Sequence, residues 1–245
     1  MVQGLMGRLL FHLVIPALFA GAACAQPDVA RTAHEPEASA PSTAPVTRPA
    51  SADGPRIVFL GDSLTAGYGL AKEASVPALI QKRLQESGYP HQVVNAGVSG
   101  DTSAGGLSRL EWSLEGDVQV LIIELGANDG LRGLPVASLK KNLTQIITEA
   151  QARGIRVVLT GMEAPPNFGP AYTAEFRDVY RQLAREHDVI FVPFYLEGVA
   201  GIPSLNIEDG IHPNAEGSRI IEKTVWSALE PLLGKQTADR KNSRR

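Results

Sequence analysis

Apolar positions follow two alternating rhythms between residues 55 and 234. Short β-rich runs stand at Arg56–Leu60, Gln92–Asn95, Val118–Leu125, Ile155–Thr160 and Val189–Val192. The third and fourth are nearly continuous apolar stretches, the pattern of strands covered on both faces. Segments with helical spacing lie between them. Val76–Ser87 follows Ser75, carries a proline in its first turn and stops at Gly88. Ala137–Arg153 gathers Leu139, Leu143, Ile146, Ile147 and Ala150 on one face and stops at Gly154. Thr173–Glu186 groups Phe176, Val179, Tyr180 and Leu183. Asn214 is placed to cap a last helix that buries Ile220, Ile221, Val225 and Leu229. Strands and helices alternating through short loops predict an α/β fold, a parallel sheet with helices on both faces. No internal repeat or second domain is visible.

The flanks follow neither rhythm. Residues 9–20 form a twelve-residue apolar run behind Arg8, too short to span a membrane and suited to the core of a secretory leader over residues 1–25. Gly21-Ala22-Ala23-Cys24 resembles a bacterial lipoprotein box, with Cys24 lipidated as the mature N-terminus, although Gly21 stands where such boxes carry an aliphatic residue. Ordinary cleavage after Ala23-Cys24-Ala25 is the other reading. Residues 26–54 are rich in Pro, Ala, Ser and Thr without a bulky aromatic, and read as a flexible tether. Residues 235–245 read as a frayed basic tail. The expected location is therefore periplasmic, either soluble or tethered to the membrane.

Composition narrows the function classes. The chain has 245 residues, of which 44% are hydrophobic and 20% charged, an ordinary globular balance. With 23 basic and 26 acidic residues there is no cationic footprint for nucleic acid. Cys24 is the only cysteine, which excludes an internal disulfide and a thiolate metal cluster.

In open parallel sheets ligands bind beyond the carboxyl ends of the strands, so candidate chemistry is sought in the loops that follow them. After the first strand, Gly61-Asp62-Ser63 sets a serine in a tight turn with backbone N–H groups around it. After the second, Asn95-Ala96-Gly97-Val98-Ser99-Gly100 brings backbone without side-chain bulk. After the third, Asn128 within Gly126-Ala127-Asn128-Asp129-Gly130 carries an amide able to donate. After the fifth, Asp209 and His212 are three apart, a spacing that lets the carboxylate orient the imidazole. Each also reads as an ordinary turn. His212 is the only histidine that lies in a strand-following loop with an acid at hand. Together the four loops lie on one edge of one sheet and complete one mechanism.

At this point the chain resembles the GDSL, or SGNH, family of serine hydrolases, and within it the bacterial esterase, thioesterase, lysophospholipase and arylesterase group. The likeness rests on Gly-Asp-Ser-Leu-Thr-Ala-Gly-Tyr-Gly at 61–69, Asn-Ala-Gly-Val-Ser-Gly-Asp-Thr at 95–102, Gly-Ala-Asn-Asp-Gly-Leu-Arg-Gly at 126–133 and Asp-Gly-Ile-His-Pro-Asn at 209–214, in that order. It implies a three-layer α/β/α, flavodoxin-like sandwich over 55–234 with a five-stranded parallel sheet. It also implies catalysis by Ser63, His212 and Asp209, an oxyanion hole formed by Ser63, Gly97 and Asn128, and no need of a metal or other cofactor. An apolar acyl groove is expected from loop residues on the same edge: Leu131, Leu134, Phe168, Tyr172, Ile202 and Leu205. The expected substrate is an aryl, fatty-acyl or lysophospholipid ester, with thioesters sharing the same acyl-enzyme, and the expected state is a monomer. Polysaccharide O-deacetylation and a catalytically silent lipid-binding lipoprotein are the competing readings.

Overall fold

The computed structural model describes residues 54–234. The expected leader with Cys24, the tether apart from Gly54, and the basic tail lie outside the described residues. Five parallel strands form one sheet: β1 (Arg56–Gly61), β2 (Gln92–Gly97), β3 (Val118–Glu124), β4 (Arg156–Thr160) and β5 (Ile190–Val192), in the order β2-β1-β3-β4-β5. The flavodoxin-like expectation is met, with strand ends shifted by a residue or two.

Four long helices match the expected amphipathic segments: α2 (Val76–Glu86), α6 (Val136–Ala152), α7 (Pro170–Glu186) and α8 (Ala215–Leu229). Asn214 does cap α8, its side-chain oxygen accepting from Glu216 N and Gly217 N at 3.0 and 3.1 Å. The loops hold four short helices: α1 (Ser63–Ala66), α3 (Ser103–Ser108), α4 (Leu110–Ser113) and α5 (Ala127–Leu131). Helix α2 packs on α8, and α6 packs between α3 and α7. Right-handed crossovers put the two groups on opposite faces of the sheet.

The central strands are buried on both sides. Ile57, Val58, Phe59 and Leu60 of β1 and Val120, Leu121, Ile122 and Ile123 of β3 are wholly inaccessible, each such side chain contributing about 1.5–3 kcal/mol by leaving water. β2 is an edge strand with most residues partly or fully exposed, and its Val93 N–H is taken by the Gln81 side chain at 2.7 Å. The chain moves from β1 outward to β2 and then back across to β3. The carboxyl ends of β1 and β3 therefore flank a switch point, where a crevice opens in such sheets.

Candidate active site

β1 ends in Gly61, and Asp62 leads into helix α1, whose first residue is Ser63. The turn leaves four N–H groups without helical partners. Two of them, Asp62 N and Thr65 N, donate to one buried oxygen, Glu124 Oε2, at 3.3 and 3.2 Å. Leu64 N donates to Asp62 Oδ1 at 3.0 Å. Among the described residues, the Ser63 N–H has no acceptor.

The Ser63 hydroxyl reaches His212. Its Oγ lies 2.8 Å from His212 Nε2, and His212 Nδ1 lies 2.6 Å from Asp209 Oδ2. The other Asp209 oxygen accepts the backbone N–H groups of His212 and Ile211, both at 3.0 Å. These backbone bonds, that of His212 foremost, and the imidazole hold Asp209 down at about 2. Ionised Asp209 only accepts, so Nδ1 carries the proton and Nε2 is left to accept from the Ser63 hydroxyl. The Tyr68 ring lies against the imidazole, with centroids 4.7 Å apart.

Asn128 sits in α5 behind Gly126, whose φ of 115° is open to glycine and whose Cβ would run into the Tyr180 hydroxyl. The Asn128 amide faces the same crevice, but both its hydrogens are engaged: Nδ2 donates to Asp62 Oδ2 at 3.1 Å and to the Asp101 carbonyl at 2.9 Å. The Gly97 N–H is given to Asn95 Oδ1 at 3.0 Å, and Gly97 does not line the cavity. Its lack of a side chain serves packing, because a Cβ there would meet the α1 backbone at Thr65 and Ala66. Of the three expected oxyanion donors, only Ser63 N is unshared in this conformation.

A cavity of about 570 Å³ opens over Ser63, Asn128 and His212, within the size range of small-molecule sites. Its walls are mainly apolar: Leu131, Met162, Ala164, Pro165, Phe194, Leu196 and Ile211.

Residues 59–220 match the GDSL-like Lipase/Acylhydrolase family. The chain belongs to that family. It is 45% identical over 178 residues to Esterase TesA of Pseudomonas aeruginosa, covering 72% of this chain and 89% of that protein. It is 38% identical over 187 residues to thioesterase 1/protease 1/lysophospholipase L1 of Escherichia coli K12, covering 76% and 88%. Among solved structures, the psychrotrophic esterase EstA from Pseudoalteromonas, inhibited by monoethylphosphonate, superposes with a TM-score of 0.69 at 34% identity, over 74% of this chain and 99% of that one.

Within this GDSL-like frame, the acyl groove needs correction. Leu131 lines the cavity, whereas Leu134, Phe168, Tyr172, Ile202 and Leu205 do not. Tyr172 donates its hydroxyl to the Leu134 carbonyl at 2.8 Å, and Phe168 lies on Tyr172 with ring centroids 5.4 Å apart, so the three close on one another outside the crevice. Leu205 packs on the core, and Ile202 is exposed. Besides Leu131, the walls come from Met162, Ala164 and Pro165 after β4, from Phe194 and Leu196 after β5, and from Ile211 beside His212.

Asp62, Glu124 and Arg109 escaped the sequence reading. Burial pushes Asp62 up to about 6, against the bonds it accepts from Leu64 N and Asn128. Burial and the adjacent Asp62 push Glu124 well above the usual carboxylate range. Arg109 donates to the Ala96 and Gly61 carbonyls at 2.7 and 2.8 Å and to Asp101 Oδ2 at 2.7 Å, stitching together the ends of β1 and β2. A lone acid closing the apolar run Val-Leu-Ile-Ile-Glu-Leu at 120–125 was the legible sign of Glu124.

Proposed function

We propose that this chain is a serine esterase in which Ser63 attacks the acyl carbonyl and His212, oriented by Asp209, carries the proton. The observation that supports it best is the continuous line Ser63 Oγ–His212 Nε2, 2.8 Å, and His212 Nδ1–Asp209 Oδ2, 2.6 Å. Ser63 Oγ forms the bond to carbon as Nε2 takes its proton. The carbonyl oxygen becomes an oxyanion, met by the Ser63 N–H and by the Asn128 amide once one of its hydrogens turns from Asp62 or Asp101. Gly97 joins by sharing the N–H now held by Asn95. Collapse expels the alcohol, which receives the proton from Nε2. Water then repeats the sequence against the acyl-enzyme, losing a proton to His212 and releasing the carboxylic acid.

The substrate class we infer is an ester with an apolar acyl chain longer than acetyl, including aryl and lysophospholipid esters, with thioesters cleaved through the same intermediate. The apolar cavity wall favours this over an acetylated sugar. The relatives named esterase and thioesterase/lysophospholipase agree with it. We also propose that the chain works outside the cytoplasm as a monomer, either soluble or held to a membrane through lipidated Cys24. The apolar run and the small residues before Cys24 support this reading.

Initial rates on p-nitrophenyl acetate, butyrate and palmitate test the substrate class. A preference above acetyl is expected, and turnover of acetate alone would reject it. Ser63→Ala is expected to abolish all three rates with folding intact. Intact mass of membrane-extracted protein tests the anchor, which an unmodified N-terminus at Gln26 would exclude.

A further inference from the structure

The nucleophile turn is held from beneath by a carboxyl group that never touches the cavity. Glu124 is the last residue of β3, in register with Gly61 of β1, and its side chain is wholly buried. One of its oxygens, Oε2, gathers three donors: Asp62 N at 3.3 Å, Thr65 N at 3.2 Å and Thr65 Oγ1 at 2.8 Å. These flank Ser63 on both sides. Gly61 makes the approach feasible, since a Cβ there would stand 2.7 Å from Oε2 and collide with Thr65.

The consequence follows from counting the donors of the turn. Asp62 N, Leu64 N and Thr65 N all have acceptors, and among the described residues Ser63 N alone has none. A buried N–H needs a partner, so whichever group lacks one locally is the group available to a ligand. Were Oε2 withdrawn, the N–H groups of Asp62 and Thr65 would also lack partners, and the turn would be free to rotate toward whatever acceptor it found. Glu124 also reaches the second expected donor: it fixes the backbone of Asp62, whose Oδ2 receives the Asn128 amide at 3.1 Å. The other Glu124 oxygen, Oε1, has no hydrogen-bond partner among the described residues, so the position of Oε2 rather than a network around the whole carboxyl defines the contact.

We propose that Glu124 is a positioning residue for ester hydrolysis, one whose Oε2 occupies the competing donors of the nucleophile turn and leaves the Ser63 N–H aimed at the acyl oxygen. The proposal rests on Ser63 being the nucleophile. What matters is an acceptor oxygen at that reach, which separates two conservative changes. Glu124→Gln keeps an oxygen at the same distance, although its amide faces the partnerless Oε1 position. Glu124→Asp keeps the acid and retracts it by one methylene.

The test measures kcat and KM on p-nitrophenyl butyrate, melting temperature, and the final stoichiometry of labelling by a fluorophosphonate, which counts intact sites. Per labelled site, Glu124→Asp is expected to lose about 10²-fold in kcat with KM within about threefold, the effect of misplacing a reacting group by about 1 Å. Glu124→Gln is expected to stay within about fivefold of wild type in kcat even though its melting temperature falls. A purely structural role would lower both melting temperatures and leave kcat per site unchanged. That result, an Asp variant as active as the Gln variant, or equal impairment of both would overturn the proposal. If Glu124→Asp yields no labelled protein, Glu124→Gln decides alone, a loss beyond about fiftyfold counting against it. Ser63→Ala run alongside keeps the two ideas apart: turnover surviving there removes the nucleophile assignment itself.

Discussion

The Asn128 amide and the Asp62 carboxylate hold each other across the floor of the crevice, Nδ2 to Oδ2 at 3.1 Å. Asp62 is wholly buried, with its carboxyl raised to about 6 chiefly by that burial. A group kept there for orientation carries a stability cost. Because the folded value lies above the ordinary 3.8, the native state binds the proton more tightly. Its stabilising contribution is full below about pH 4 and is lost as pH rises through 6. Asp62→Asn is expected to remove that slope, worth up to about 3 kcal/mol, so that denaturant unfolding at pH 4.5 and 7.5 differs less than in wild type. The same change releases Asn128 and is expected to lower kcat by about 10–10²-fold.

Asn128→Ala removes the only side-chain donor proposed for the oxyanion. Turnover is expected to fall about 10²–10³-fold with little change in KM, read from saturation kinetics on p-nitrophenyl butyrate. A KM effect alone would make the amide a substrate contact rather than a transition-state one.

Asp209→Asn retains acceptors for the Ile211 and His212 N–H groups but offers an amide to His212 Nδ1. The imidazole then turns its bare nitrogen toward residue 209 and its N–H toward Ser63. A loss of about 10³–10⁴-fold in kcat is expected. Since Asp209 is held at about 2, below its ordinary value, its contribution is present above about pH 4 and is lost only as pH falls through 2. Asp209 thus stays ionised across pH 4–8, and carbon NMR of its carboxyl group should show no protonation step of that group over the range.

Chain-length preference separates cavity wall from neighbouring surface. Ala164→Phe fills part of the 570 Å³ space and is expected to suppress palmitate and butyrate hydrolysis far more than acetate. Tyr172→Phe removes the bond to the Leu134 carbonyl, costs about 1 kcal/mol of stability and leaves the acyl-chain profile where it was.

Gly97→Ala places a methyl against the backbone of Thr65 and Ala66. Helix α1 has to move, and both kcat and melting temperature are expected to drop. An active, stable Gly97→Ala protein would show that the edge strand gives way instead.

The alternation of β-rich and amphipathic runs was enough to read the sheet, its four long helices and the cap at Asn214, because buried strands and one-sided helices repeat at fixed periods. Ser63, Asn128, Asp209 and His212 could be singled out for a different reason: Ser63 and Asn128 stand just beyond strand ends, and Asp209 and His212 in the long segment between β5 and α8, where the fold gathers its loops. The acyl groove could not. Leu134 follows α5 and Tyr172 belongs to the first turn of α7, where one phenol-to-carbonyl bond ties them together away from the cavity, and nothing in the residue types foretells that bond. Helix α3 was hidden by Gly105 and Gly106, poor helix formers tolerated because Gly106 lies tight against Leu125. Glu124 was passed over because a carboxyl ending an apolar strand looks like the edge of a core until the three donors beneath Ser63 are seen.

All five strands run the same way, so β1 starts at the pole farthest from the crevice, and the last described helical turn returns there, with the Leu232 carbonyl bonded to Arg156 at the beginning of β4. Both described ends of the domain are therefore at its back. Fixing the domain to a bead through residue 54 or residue 234 should leave the mouth pointing outward, with small-ester turnover per molecule equal to that in free solution.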